Sequence, residues 1–284
     1  MSEIWTIKRL IDWTTDYFKK YDIEWPHLEA EILLSHALKI PRIQLYVQFE
    51  RVLNENELAE FKVLILRRSK REPLAYITGH QPFMSLDFEI NSSVLVPRQE
   101  TEKLVEVAME RAKQLPSPII ADICCGSGVV AISLAKYVPQ AVVRGTDISE
   151  EAIQLSRMNA ERHGVSDRCV FYRGDLFEPL NELKGKLDLI VSNPPYIPSR
   201  DIDGLQPEVS KFEPRAALDG GEDGLALYRK IAAKATEFLK TNGAMLLEVG
   251  MGQAEPVKGL LGQFKKVQTF KDMSGIERVV MAEA

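Results

Sequence analysis

The apolar positions of the chain change their spacing twice, and each change predicts a different kind of structure. Over residues 2–71 they recur at helical intervals. Ile4, Ile7, Leu10, Ile11 and Thr14 share one face, and Ala30, Leu33, Leu34 and Ala37 follow Pro26, a residue suited to a first helical turn. Asn54 with Glu57 reads as a capping box opening a third helix through Leu58, Phe61, Ile65 and Leu66. Short connections between such segments predict a small helical bundle. From Tyr76 to Arg98 the interval shortens. Phe83, Leu86, Phe88 and Ile90, then Val94, Leu95 and Val96, are separated by Asn91-Ser92-Ser93 and predict a β-hairpin linker.

Beyond a helix at 101–113 and a boundary at Leu115-Pro-Ser-Pro118, strand and helix patterns alternate. Strands are predicted at Ile119–Cys124, Ala141–Asp147, Cys169–Arg173, Leu187–Ser192 and Ala244–Val249, with a closing pair at Lys266–Phe270 and Arg278–Met281. Helices fall at Val129–Tyr137, Glu150–His163 and Leu225–Leu239. Such alternation predicts an α/β domain whose parallel sheet is covered on both faces. The pattern divides the chain into a helical domain (1–75), a hairpin linker (76–98) and an α/β domain (99–284).

Composition narrows the function. With 45% hydrophobic and 27% charged residues the chain reads as globular. A net charge of −5 leans against a protein that grips duplex phosphate, so no direct nucleic-acid partner is expected. The basic cluster Arg67, Arg68, Lys70 and Arg71 is expected to be a solvated helix end complementing the macrodipole, with a docking patch for an acidic partner or RNA as the alternative. Three cysteines, two of them adjacent, make no disulfide framework, and no second Cys or His pair stands ready to complete a metal site. The N-terminus lacks a cleavable leader pattern, and no uncharged run approaches the ~20 residues needed to span a bilayer. A cytoplasmic protein with no membrane partner and no metal is expected.

Candidate chemistry gathers at the carboxyl ends of the predicted strands. After the first of them come Asp122, Cys124, Cys125, Gly126, Ser127 and Gly128, small residues that let a backbone approach a ligand closely. The dinucleotide pattern G-x-G-x-x-G fits badly, placing Cys, Gly and Val on its glycine positions, whereas G-x-G-x-G places Cys124, Gly126 and Gly128. Asp147 ends the next strand near the ~20-residue offset at which a carboxylate reaches a ribose diol. Gly174-Asp175-Leu176-Phe177 follows the third. Asp175 can accept from an exocyclic amine there, and Leu176 and Phe177 can pack on a base.

The fourth strand runs into Asn193-Pro194-Pro195-Tyr196. The lone pair of a planar amide or aromatic amine is delocalised, which makes it a poor nucleophile. Two fixed acceptors on its two N–H bonds can hold and orient it. The Asn193 side-chain oxygen can supply one and the Pro194 carbonyl the other, and consecutive prolines restrict the loop beforehand. Tyr196 can offer an aromatic face to the flat group. Alignment and preorganised dipoles suffice against a cationic leaving group, so no general base is assigned.

These loops resemble motif I and the Asn-Pro-Pro-Tyr motif of S-adenosylmethionine methyltransferases. Asn-Pro-Pro-Tyr is shared by DNA adenine N6 methyltransferases and protein glutamine N5 methyltransferases. Arg71-Glu-Pro-Leu-Ala-Tyr-Ile-Thr-Gly79, Val94-Leu-Val-Pro-Arg-Gln-Glu-Thr-Glu102 and Glu213-Pro-Arg-Ala-Ala-Leu-Asp-Gly-Gly-Glu-Asp-Gly224 look like signatures of the peptide chain release factor glutamine methyltransferases, the HemK/PrmC family. The similarity runs along the whole chain. It implies a Rossmann-like seven-stranded methyltransferase domain, S-adenosylmethionine as cofactor, and a release factor as partner, methylated at the glutamine of its Gly-Gly-Gln loop. It also implies an N-terminal bundle that docks this substrate, and a segment at Arg98–Glu102 that flanks the cofactor pocket. Cys124 stands where the family usually has glycine, and Gln99 where it usually has proline. The readings kept beside this one are glutamine methylation of ribosomal protein L3, adenine methylation of nucleic acid, and a binding module without catalysis.

Overall fold

The structure, a computed structural model, describes residues 4–284, and the expected helical start at Ser2 lies outside the described residues. The chain forms two compact units, dividing between Gly79 and His80, with Gln206–Phe212 belonging to the first unit.

The first unit is helical: α1 (Ile7–Lys19), α2 (Pro26–Leu38), α3 (Arg42–Val47), α4 (Glu55–Ser69), α5 (Leu74–Thr78) and, late in the chain, the short α9 (Pro207–Phe212). Thr6 caps α1, so Ile4 stands outside the helix and is exposed rather than on its apolar face. The predicted capping box is present: the Asn54 side chain accepts from the Glu57 N–H, and the Glu57 carboxylate accepts from the Asn54 N–H. Ile7, Leu10, Phe18, Leu33, Leu34 and Phe61 fill the core of the bundle.

In the basic cluster Lys70 is exposed at the helix end as expected, but the three arginines are held by carboxylates. Arg68 is buried and pairs with Glu29 and, at 2.9 Å, with Glu208 of α9. Arg71 grips both Glu208 oxygens at 2.6 and 2.7 Å and donates to the Tyr21 and Asp22 carbonyls, while Arg67 forks onto Glu72. A guanidinium withdrawn from water is stable only when its donors are matched, and these carboxylates match them.

The second unit opens with a hairpin of β1 (His80–Phe83) and β2 (Leu86–Glu89). Its turn is Met84-Ser85, both at positive φ (49° and 59°), and not the predicted Asn91-Ser-Ser93. Val94–Val96 is not a strand. A two-residue turn with both residues left-handed matches strand twist, although neither residue advertises it. Asn159 secures β2 by accepting from the Glu89 N–H at 2.8 Å and donating to its carbonyl at 3.0 Å.

After α6 (Glu102–Ala112) come β3 (Ile119–Ile123), α7 (Val129–Tyr137), β4 (Val142–Asp147), α8 (Glu150–Arg162), β5 (Cys169–Arg173) and β6 (Leu187–Ser192). The chain then continues through α10 (Ala226–Phe238), β7 (Leu239–Glu248), α11 (Ala254–Gly259), β8 (Lys266–Lys271) and β9 (Glu277–Glu283). The strands build one seven-stranded sheet in the order β5-β4-β3-β6-β7-β9-β8, parallel from β5 to β7, with β9 antiparallel to both of its neighbours. Residues Ile120, Ala121, Leu189, Ile190 and Leu246 are fully buried because helices cover both faces. The chain winds outward from β3 to β5 and returns to pair β6 with β3. The loops after β3 and β6 therefore diverge at the carboxyl edge, the point where open α/β sheets bind ligands.

Candidate active site

Register fixes the centre of the site. Ile123 pairs with Ser192, and the Ser192 hydroxyl donates to the Ile123 carbonyl at 2.6 Å, so the loops leaving β3 and β6 start side by side. A cavity of about 640 Å³ opens between them, a size suited to a nucleoside-sized ligand. Asp122 lines it from β3, Cys124, Cys125, Gly126 and Ser127 from the β3 loop, Asp147 from β4, Asp175 and Leu176 from the β5 loop, and Asn193 and Pro195 from the β6 loop. Four separately predicted strand ends thus meet on one cavity.

In the β3 loop, Cys124 takes φ 62°, the left-handed conformation that the usual glycine would adopt without cost. The loop is tied to β4: the Cys125 N–H donates to the Thr146 carbonyl at 3.0 Å and the Gly126 N–H to Asp147 Oδ2 at 2.9 Å. Asp147 Oδ1 accepts from the Ser149 N–H at 3.0 Å. Its carboxylate is thereby oriented and keeps lone pairs for a diol. Asp122 is buried and accepts from the Ala131 N–H at 3.0 Å in the first turn of α7. Burial pushes its carboxyl up to about 8, with the Ala131 bond opposing and Asp147 adding to the rise. Burial also raises both vicinal thiols, so neither is poised as a thiolate. Among the described residues no His, Cys, Asp and Glu group could hold a metal ion.

The cavity chemistry suits S-adenosylmethionine better than a dinucleotide. Asp122 and Asp147 occupy the N-terminal approach of α7, where a pyrophosphate would need an anion-friendly surface. The Asp147 carboxylate there suits a cationic ligand bearing hydroxyls, and Arg98 and Lys230 on the wall can meet its carboxylate.

Gly128, Phe177, Pro194 and Tyr196 are not on the cavity wall. At Gly128 (φ 81°) a Cβ would sit 2.9 Å from the Ser156 Cβ and 3.0 Å from Phe171, so this glycine serves the packing of α7 and not ligand approach. Phe177 turns inward and stacks on Phe238 with centroids 4.7 Å apart, which corrects its expected place on a base. Pro194 is buried. The Tyr196 ring packs on the main core against Gly250 instead of facing the cavity, and burial pushes its hydroxyl up to about 12.

The β6 loop is held from outside. Its Tyr196 carbonyl accepts from Gln253 Nε2 at 2.9 Å, and Gly220, Gly224 and Gly250 press against Tyr196 where any Cβ would intrude. Asn193 Nδ2 donates to the Thr101 hydroxyl at 3.2 Å. Arg98 pairs with buried Glu213 at 2.6 Å. Of the implied flanking segment, Arg98 and Thr101 do line the cavity. The sequence reading missed Thr101 as a partner of Asn193, Glu248 behind it, and the glycine contacts. The glycine-dense stretch around Gly220–Gly224 was the available signal.

Two family models match the chain, the PrmC N-terminal domain over residues 9–79 and the methyltransferase small domain over residues 100–205. A release factor glutamine methyltransferase of Geobacter sulfurreducens is 49% identical over 98% of this chain and 96% of its own length. One from Moorella thermoacetica is 43% identical over 92% of both chains. The crystal structure of the hMettl16 catalytic domain superposes with a TM-score of 0.54 at 14% identity, covering 82% of this chain and 84% of that one, a likeness of fold alone. That fold is the Rossmann-like methyltransferase sheet.

Proposed function

Because the chain belongs to the release factor glutamine methyltransferases, we propose that it transfers a methyl group from S-adenosylmethionine to the side-chain amide nitrogen, N5, of the glutamine in the Gly-Gly-Gln loop of a peptide chain release factor. The observation that carries this reading is Asn193. Its amide nitrogen is engaged by Thr101 on a cavity wall, which leaves its oxygen to accept from a substrate N–H. When bound, S-adenosylmethionine supplies an electrophilic methyl on a sulfonium. Asn193 Oδ1 takes one amide N–H of the substrate. With its lone pair turned toward the methyl, the nitrogen would take it as the S–CH3 bond breaks to leave S-adenosylhomocysteine, and would release one N–H proton to solvent. Asp147 holds the ribose hydroxyls, and Asp175 and Leu176 hold the base. Tyr196 braces the loop from behind. The helical unit docks the release factor. No helix among the described residues is long and apolar enough to cross a membrane, and the reading places the protein in the cytoplasm, acting in translation termination.

Asn193→Ala should lower methyl transfer to a release factor by on the order of 100-fold, since it removes one oriented dipole of the reacting centre. Calorimetry should find cofactor affinity nearly unchanged. Labelled methyl donor offered with release factor, ribosomal protein L3 and duplex DNA in parallel should mark only the first. Label in DNA or in L3 but not in release factor overturns the substrate, and loss of cofactor binding in Asn193→Ala overturns the role of that residue.

A further inference from the structure

We infer that Arg98 binds the amino-acid carboxylate of S-adenosylmethionine and that Glu213 is the positioning residue that aims its guanidinium. The inference rests on the cofactor reading of the cavity and adds to it the end of the ligand that the strand-end motifs leave unassigned.

The sheet order sets the direction in which the cofactor lies. With Asp175 and Leu176 after β5 taking the base and Asp147 at the end of β4 taking the ribose, the ligand crosses the carboxyl edge toward β3 and β6. Its amino-acid end is therefore brought to the β6 side. Arg98 stands on that side of the cavity wall. It precedes the 3₁₀ turn Gln99–Thr101, whose Thr101 hydroxyl accepts from Asn193 of the β6 loop at 3.2 Å. A guanidinium meets a carboxylate with two parallel N–H groups, which the ammonium of Lys230, exposed on α10, cannot do.

A long side chain on a cavity wall works as a clamp only if something aims it. Arg98 Nη2 donates to Glu213 Oε1 at 2.6 Å. A guanidinium carries donors only, so the direction of this bond is the same whether the carboxyl is ionised or protonated. Among the described residues no other acceptor holds the remaining guanidinium donors, which are left for the cavity. Glu213 itself is 6% exposed, and its Oε2 is buried with no hydrogen-bond partner among the described residues. A carboxyl is thus kept buried at a cost that packing alone does not offset, and the group it steers supplies the reason.

The backbone carrying Glu213 is pinned. Pro214, Ala216 and Ala217 line the same cavity. Arg215 donates to Asp203 at 3.2 Å and to the Ser199 carbonyl at 3.1 Å, and the Ile197 N–H donates to the Leu218 carbonyl at 2.9 Å. Glu213 therefore reaches Arg98, 115 residues away in the chain, from a fixed base.

S-adenosylmethionine and its decarboxylated form differ by the carboxylate alone, so calorimetry with both isolates this contact. In Arg98→Ala the Kd of S-adenosylmethionine should rise on the order of 30-fold, the worth of charge-assisted hydrogen bonds, and that of the decarboxylated form should change less than about threefold. Glu213→Leu removes the acceptor, fills its volume and relieves the orphaned oxygen, so the protein should fold. It should show the same selective loss, about 10-fold, whereas Glu213→Gln keeps an acceptor and should stay within about threefold of the parent. In an Arg98→Ala background, Glu213→Leu should cost no further affinity, because the group it aims is gone. Equal loss of both ligands in Arg98→Ala, or loss of neither, overturns the carboxylate contact. Parental affinity in Glu213→Leu, a loss in Glu213→Gln as large as in Glu213→Leu, or full additivity with Arg98→Ala overturns the positioning role while sparing Arg98. A parent protein that binds neither ligand overturns the cofactor reading itself.

Discussion

The loops after β3 and β6 lie side by side at the sheet edge and reach rigidity by opposite means. The β3 loop bends through left-handed backbone: Cys124, Gly126 and Gly128 all have positive φ. Its order comes from its own residues and the adjacent strand, through Gly126 and Asp147. The β6 loop has no positive φ between Asn193 and Tyr196. Its prolines restrict the chain, and its final shape is pressed on it by Gly220, Gly224, Gly250 and Gln253. A loop that wraps a cofactor can be written locally. The β6 loop needs a mould instead, and distant segments of the chain provide it.

The heaviest blow to the mould should be Gly224→Ala. A Cβ there would collide with the Tyr196 carbonyl oxygen and lie 2.7 Å from Gln253 Nε2, on a backbone at φ 76°. Clash and left-handed strain together cost about 4 kcal/mol. Methyl transfer should fall more than ~100-fold, because about 2.7 kcal/mol of misplacement already does so. The β3 loop does not touch Gly224, so any protein that folds should still bind S-adenosylhomocysteine with near-parental affinity in calorimetry. Loss of cofactor affinity in proportion to activity would show that the two loops are not separate devices.

The same contrast explains what could be read from the sequence. The alternation of strand and helix was legible because parallel strands buried on both faces produce continuous apolar runs, as in Leu187–Ser192. The Asn54 capping box was legible because it is local. The hairpin turn was misplaced because Met84 and Ser85 adopt left-handed backbone without glycine or asparagine, and the polar Asn91-Ser-Ser93 looked more like a turn. The fate of Arg68 and Arg71 could not be read, since their partner Glu208 arrives 140 and 137 residues later. For the site, the motifs that line the cavity were local and visible. Thr101 was not, because it meets Asn193 across 92 residues of chain. Phe177 was misassigned because an aromatic at a strand end suits both a base and a core, and only packing against Phe238 decides.

Glu248 sharpens the comparison through pH. Burial pushes its carboxyl up to about 7 from an ordinary 4.5, with the Thr101 bond and Arg278 opposing. A raised acid favours the folded state when protonated. Its contribution is complete below the unfolded value of 4.5 and is lost as pH rises through about 7. A rise of that size corresponds to at most about 3 kcal/mol. Glu248→Gln, which cannot titrate, should therefore gain stability relative to the parent as pH goes from 5 to 8 in denaturant melts. A constant difference across that range would contradict the burial argument. For the β3 loop the matching change is Asp147→Ala, which removes the acceptor oriented by Gly126 and Ser149. It should raise the Kd of the methyl donor by roughly 10- to 100-fold, the worth of hydrogen bonds to a charged group, with kcat at saturation largely retained. An unchanged Kd in calorimetry would remove Asp147 from the cofactor site.

The smallest effect tests whether the β3 loop stores strain. Cys124 holds at φ 62° a conformation that costs a side-chain-bearing residue about 1 kcal/mol and costs glycine little. Its thiol is held among carboxylates and raised by burial, so the side chain brings no charge to the cavity. Cys124→Gly should relieve the native strain while loosening the unfolded chain, two effects of opposite sign and similar size. Cys124→Ala keeps the strain without the sulfur, and therefore isolates the backbone term. Glycine should melt at least as high as alanine, by up to ~1 kcal/mol, and both should bind the methyl donor like the parent. Were alanine the more stable of the two, the left-handed bend would be carried without strain. The β3 loop would then owe its shape to the strand beside it, as the β6 loop owes its shape to its mould.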